Sequence, residues 1–180
     1  MSRYIDDTRD WVERVVIGLK LCPFAPAPAL KGLIRYATSD ADTREALLED
    51  LATELQRLVS SPPEEIETTL LIHPRVLQDF YDFNDFLEVA DELLRVLELE
   101  GEIQIASFHP DYQFADAKSD DIGNATNRSP YPTLHLLREE SIARAVDSFG
   151  DTRSISTANL ATLRQLGPEG LQALRRGVPT

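Results

Sequence analysis

The chain has almost no cysteine, little positive charge for its acid content, and no long apolar run. A single cysteine, Cys22, among 180 residues excludes an intrachain disulfide and suits a reducing compartment. Lys and Arg number 18 against 31 Asp and Glu, giving a formal net charge of −13. Phosphate backbones are bound by clustered Lys and Arg, so this balance argues against a nucleic-acid partner and disfavours anionic membrane surfaces. No apolar stretch approaches the roughly 18 residues that span a bilayer. The opening MSRYIDDTRD is acidic and has no apolar h-region, so it does not read as a signal peptide. A cytoplasmic protein is the expectation. Histidine is scarce as well, with three in the chain.

What is present is an ordinary globular composition, 42% hydrophobic and 27% charged, in a length that suits one domain with a sizeable core. Apolar residues at helical spacing predict a helix over 4–20, ended by Cys22-Pro23. CPFAPAPALKG at 22–32 reads as a stiff loop. A strand is predicted at 33–38, an amphipathic helix at 42–59, a buried strand at 68–72 and a strong helix at 75–97 with Gly101 as its stop. Strands at 103–108 and 133–137 follow, then helices at 141–149, 154–167 and 168–177. Strands alternating with helices imply βαβ crossovers. The fold class is therefore α/β: a mixed, mainly parallel four-stranded sheet whose last strand runs antiparallel, packed with amphipathic helices. The whole chain, 1–180, reads as a single domain with its core at about 1–150, and 151–180 as C-terminal helices packed on it.

The three histidines fall at strand ends or beginnings. His73 and His109 each follow a strand and precede a proline, and His135 lies near the start of the last strand. In the predicted topology these positions share the carboxyl edge of the sheet, where open α/β sheets hold their ligands. A long polar segment at 110–132 would cover that rim. Three readings compete. His73, His109 and His135, with Asp111, Asp120 or Asp121, supply the donor types of a divalent metal site such as zinc. A metal-free site could use His109 and His135 as acid and base, Asp121 to orient a ring, or Cys22 as nucleophile. Alternatively, each histidine simply ties down the segment by hydrogen bonds.

The segment and the strand that follows it also carry candidate binding groups. Arg128 and Arg138 offer planar forks for a carboxylate or phosphate, with Asn124, Asn127 and Tyr112 as further contacts. An internal ion pair of Arg128 with Asp121 or Glu139 is the competing reading for that arginine, and Asx turns are the competing reading for the asparagines. In DFYDFNDF at 79–86, Phe80, Phe83 and Phe86 are expected on a core face, with Asp79, Asp82 and Asp85 towards solvent.

Five strings carry a resemblance: GLKLCPFA at 18–25, TTLLIHP at 68–74, DFNDFLEVADELL at 82–94, QIASFHPDYQF at 104–114 and NATNRSPYPTLHLLREESIARAV at 124–146. With them the chain resembles a mainly bacterial family catalogued as domain of unknown function 1415. The resemblance implies no activity, cofactor or site residue. From the residues, the first functional expectation is an enzyme of small anionic metabolites, hydrolytic by default, at the three-histidine rim under 110–132. The second is a non-catalytic metabolite- or protein-binding protein in which the His, Asn and Arg groups form a structural network.

Overall fold

Thr68–Ile72 is buried at every position, as befits a strand covered on both sides, and it organises the sheet. In the computed structural model, which describes residues 2–175, four strands lie in the order β1-β2-β4-β3. They are β1 (Ile34–Thr38), β2 (Thr68–Ile72), β3 (Ile103–Phe108) and β4 (Thr133–Arg138). β1 and β2 pair in parallel, while β4 runs antiparallel to both β2 and β3. The mixed sheet and the reversed last strand therefore agree with the sequence reading. Ile72 and Phe108 both pair with Thr133, which puts the ends of β2 and β3 and the start of β4 at one edge.

Two layers of helices cover the sheet. On one side lie α3 (Arg44–Ser60) and α4 (Phe80–Val96). Their N-termini are capped by Thr43 and Asp79, whose side-chain oxygens accept backbone N–H groups of the first turn. Leu47, Leu51, Leu55 and Leu58 of α3 and Phe83, Phe86 and Ala90 of α4 close this core, with Phe80 packed against it. Each large side chain so buried contributes roughly 1.5–3 kcal/mol. The other side is covered by the N-terminal helix, by α6 (Ser154–Arg175) and by a 3₁₀ turn at Ile122–Asn127, around Trp11, Val15, Leu70 and Leu163. No helix among the described residues is long and apolar enough to cross a membrane.

Five local features differ from the sequence reading. The N-terminal helix is α-helical only over α1 (Arg3–Trp11) and continues as a π-helix at Val12–Ile17. The expected stiff loop contains a short helix, α2 (Pro26–Leu30), with proline in its first turn. The helix expected from 75 starts at Phe80, because Leu77 takes a left-handed φ of 58° and breaks the run before it. Segment 110–132, read from the sequence only as a long polar connection, holds the 3₁₀ turn. Glu139–Phe149 forms α5, which continues directly from β4. The two C-terminal helices meet at Gly167, whose φ of 69° makes the kink before Pro168. Positions 176 and 177 of the last predicted helix lie outside the described residues.

Candidate functional site

The expected three-histidine rim does not form, and strand alternation shows why. Side chains two apart in a strand share a face. His135 opposes Leu70 and Ala106 in the register, on the face of α1 and α6. His73 and His109 follow the opposite parity and pack under α4, where both rings lie against Phe83 at centroid distances of 5.6 and 5.1 Å. The sheet thus separates His135 from the other two. Among the described residues, no group of three or more His, Cys, Asp or Glu side chains is arranged to hold a metal ion. His73, His109 and His135, expected as a zinc triad, therefore do not converge on one site.

His109 and His73 are wholly buried. The His109 Nδ1 accepts the Asp111 backbone N–H at 3.0 Å, so the ring proton sits on Nε2 and is donated to the Leu77 carbonyl at 3.1 Å. Both nitrogens are used, and the second bond holds the carbonyl of the left-handed Leu77. Burial lowers the His109 pKa. The His73 Nδ1 donates to the Val76 carbonyl at 3.1 Å, while its Nε2 is buried without a partner. Burial pushes the His73 pKa down to about 4. These two rings build the turn 73–79 and the root of segment 110–132.

Of the predicted binding residues, Arg128 and Asn124 serve the backbone of that segment, while Asn127 donates to the Ser107 carbonyl of β3. Arg128 donates to the carbonyls of Tyr112 (3.0 Å) and Ser119 (2.8 Å). Asn124, fully buried, accepts from the Phe114 N–H and donates to the Lys118 carbonyl. Asp121 caps the 3₁₀ turn by accepting the Gly123 N–H at 2.7 Å and bonds no histidine. Tyr112 packs edge-on against Phe114 and beside Phe80. Arg138 donates to the carbonyls of Leu58, Ser61 and Ile66 at the end of α3. Its pKa is lowered by burial.

The other face holds a cavity. A cavity of about 430 Å³ lies between the sheet and a cover formed by the N-terminal helix, segment 21–28 and α5. Its floor is Leu70, Gln104, Ala106, Phe108, His135 and Leu137, all on one face of the sheet. Trp11, Val12 and Val16 wall one side, the latter two from the π-helix, whose wider turn is a feature often found at functional sites. Cys22 and Phe24 wall another, and Asn127 stands at the rim end. Glu67 and Arg138 stand together at the far end. The helix α5 presents Ile142 and Ala145 to the cavity, yet none of its residues is buried, so it covers the opening without sealing it. Phe24 of the lining meets Phe149, the last residue of α5, edge to face at 5.9 Å.

The one histidine in this cavity has a defined proton. Thr68 Oγ1 donates its only hydrogen to the Leu136 carbonyl at 2.7 Å. It must therefore accept from His135 Nε2, 2.7 Å away, which makes Nε2 the protonated nitrogen. Nδ1 is left as a bare acceptor on a ring that lines the cavity, without a partner among the described residues. Apolar surroundings push the His135 pKa down to about 4, so the ring is neutral at pH 7. Of the residues predicted as functional, His135, Cys22, Asn127 and Arg138 line this cavity; His73, His109, Asp121, Asn124, Tyr112 and Arg128 do not. Trp11, Phe24, Ala106 and Phe108 read on their own as core residues, and Gln104 as an exposed strand position.

Residues 3–173 match the model of a family described as a protein of unknown function, DUF1415. The chain belongs to this family. Neither curated proteins nor solved structures return a match. The match extends from the first turn of α1 into the last helix, so it takes in every wall of the cavity.

Proposed function

We propose that the chain binds a small, largely apolar molecule in the cavity on the His135 face of the sheet. The observation that carries this reading is the cavity's make-up: a drug-sized volume, walled mainly by apolar and aromatic side chains, with a few polar groups converging on it. That is the usual composition of small-molecule sites. The small anion expected from the sequence finds weaker support. The Arg128 fork is committed to loop carbonyls, and Arg138 shares its end of the cavity with Glu67.

Trp11 is the chain's one tryptophan and lines the cavity, so its emission reports occupancy directly. N-phenyl-1-naphthylamine, a neutral probe that brightens in apolar sites, is expected to bind with one-to-one saturation and to quench Trp11. Ala106→Phe, which fills the floor, is expected to abolish that binding while leaving the circular dichroism spectrum unchanged. Unsaturable binding, or binding indifferent to Ala106→Phe in a folded variant, would overturn the reading.

A catalytic reading keeps one supporting observation: Cys22 and His135 line the same cavity. A neutral imidazole there could accept a thiol proton and leave a nucleophilic thiolate. The rate of Cys22 alkylation by iodoacetamide, followed against pH in the wild type and in His135→Gln, tests it. Identical profiles would remove the dyad and leave binding alone.

A further inference from the structure

The cavity's shape and its acceptor together narrow the ligand. Gln104, Ala106 and Phe108 line it in succession along β3, a run of roughly 13 Å at about 3.3 Å per residue. The space is thus elongated along the strands. His135 pairs with Ala106, the middle of the three, so its ring stands on the floor between the Phe108 and Gln104 ends. Leu70 and Ala106 oppose His135 in the register, and Val12, Val16 and Ile142 add apolar side chains to the same lining. The charges in the lining, Glu67 and Arg138, are of opposite sign and share one end, so they set no preference for a charged ligand.

From this geometry we infer that the ligand is a neutral, rod-shaped molecule bearing a hydroxyl or an N–H, which it donates to Nδ1 of His135. The inference rests on the cavity reading above and adds a polarity requirement to it. The Thr68 relay is what makes the requirement strict. With Nε2–H held by Thr68 and the Thr68 hydrogen held by Leu136, Nδ1 can only accept. A ligand acceptor placed there would face a lone pair. A purely apolar ligand would leave Nδ1 desolvated without a partner, a cost comparable to a lost hydrogen bond. His135 is thereby the specificity-determining residue of the site. A site with an acceptor that only a ligand donor can satisfy discriminates strongly against isosteres that lack that donor.

The test uses 4-hydroxybiphenyl and 4-methylbiphenyl, rods of matched shape that differ in the donor, each displacing N-phenyl-1-naphthylamine from the wild-type protein. The hydroxyl compound is expected to bind roughly tenfold tighter, the size of one well-made hydrogen bond. His135→Leu is expected to erase or invert that preference while retaining both ligands. If both rods displace the probe from the wild type with equal affinity, the cavity reading stands and the donor requirement is overturned. If neither rod displaces it and the probe itself fails to saturate, the cavity reading falls and takes this inference with it. A measurement on the unaltered protein guards against a variant that does not fold. The ¹⁵N shift of His135 Nδ1 should lie in the bare-acceptor range and move upfield with 4-hydroxybiphenyl, but stay in place with 4-methylbiphenyl. A protonated Nδ1 in the free protein, or equal movement with both, overturns the proposal.

Discussion

His135 and Thr68 face each other across two strands with Nε2 and Oγ1 2.7 Å apart, and the threonine passes its own hydrogen to Leu136. Removing the hydroxyl leaves a buried imidazole N–H without its acceptor and takes one donor from the Leu136 carbonyl, which keeps its strand partner Thr69. Thr68→Val is therefore expected to cost roughly 1–3 kcal/mol in urea unfolding, and Thr68→Ser to recover most of it. Equal stability of the valine and wild-type proteins would show that the relay contributes nothing.

The two faces of the sheet separate scaffold from site, and His109 is the place to see it. His109→Ala opens a cavity beside Phe80 and Phe83 and releases the carbonyl of Leu77. A loss of about 2–4 kcal/mol is expected. Affinity for N-phenyl-1-naphthylamine at a temperature where the variant is folded should stay unchanged, because the cavity lies beyond the sheet. A large loss of affinity in the folded variant would contradict that division.

Stability should fall on mild acidification. In the fold, burial holds His73 and His135 at about 4, against 6.5 for an exposed imidazole. As pH drops from 6.5 towards 4, the unfolded chain takes up protons that these two rings in the fold refuse. The unfolded state is then favoured, by up to about 1.4 kcal/mol per pH unit for each ring. His109, also lowered by burial, adds in the same direction. Urea melts across this window should show the slope, and His73→Leu should reduce it. Above the ordinary imidazole value these groups contribute no slope, and a slope of the same size there would have to arise elsewhere.

Arg128 clips segment 110–132 to itself by two carbonyls nine or more residues away in sequence. Arg128→Ala should speed backbone hydrogen exchange and proteolytic cleavage within 112–120, and Arg128→Lys should restore little. One ammonium lacks the planar fork that reaches both carbonyls at once. Unchanged exchange in that stretch would mean that Asn124 alone secures it.

Much of the architecture was legible because period and punctuation agree. Thr68–Ile72 and Ile103–Phe108 could be read to the residue from β-branched runs closed by His-Pro, and the missing helix before β4 pointed to its reversed direction. The spacing of Phe80, Phe83 and Phe86 gave the core face of α4. What failed was the step from strand edge to strand face. His135 stands two residues inside β4, and its face depends on a register that links three strands and that no one of them encodes alone. The cavity was hidden for a related reason. Its walls come from distant stretches, and Leu70, Ala106 and Val12 look like ordinary core positions. The legible hint was Ala106, a small side chain mid-strand where larger ones would close the space. Arg128 and Asn124 misled because loop backbone and ligand anions draw on the same donors, and here the backbone takes them.

The placement of β4 between β2 and β3 has a consequence for how the molecule is made. A ribosome delivers β1, β2 and β3 first, yet β2 and β3 do not pair with each other; the slot between them waits for residues 133–138. Until those emerge, two apolar strands carry open edges, which are templates for pairing with other chains. The long-range closure of that slot is a slow kind of step. A nascent chain stalled before Thr133 should aggregate or recruit chaperones, and a few residues past Arg138 should abruptly relieve it.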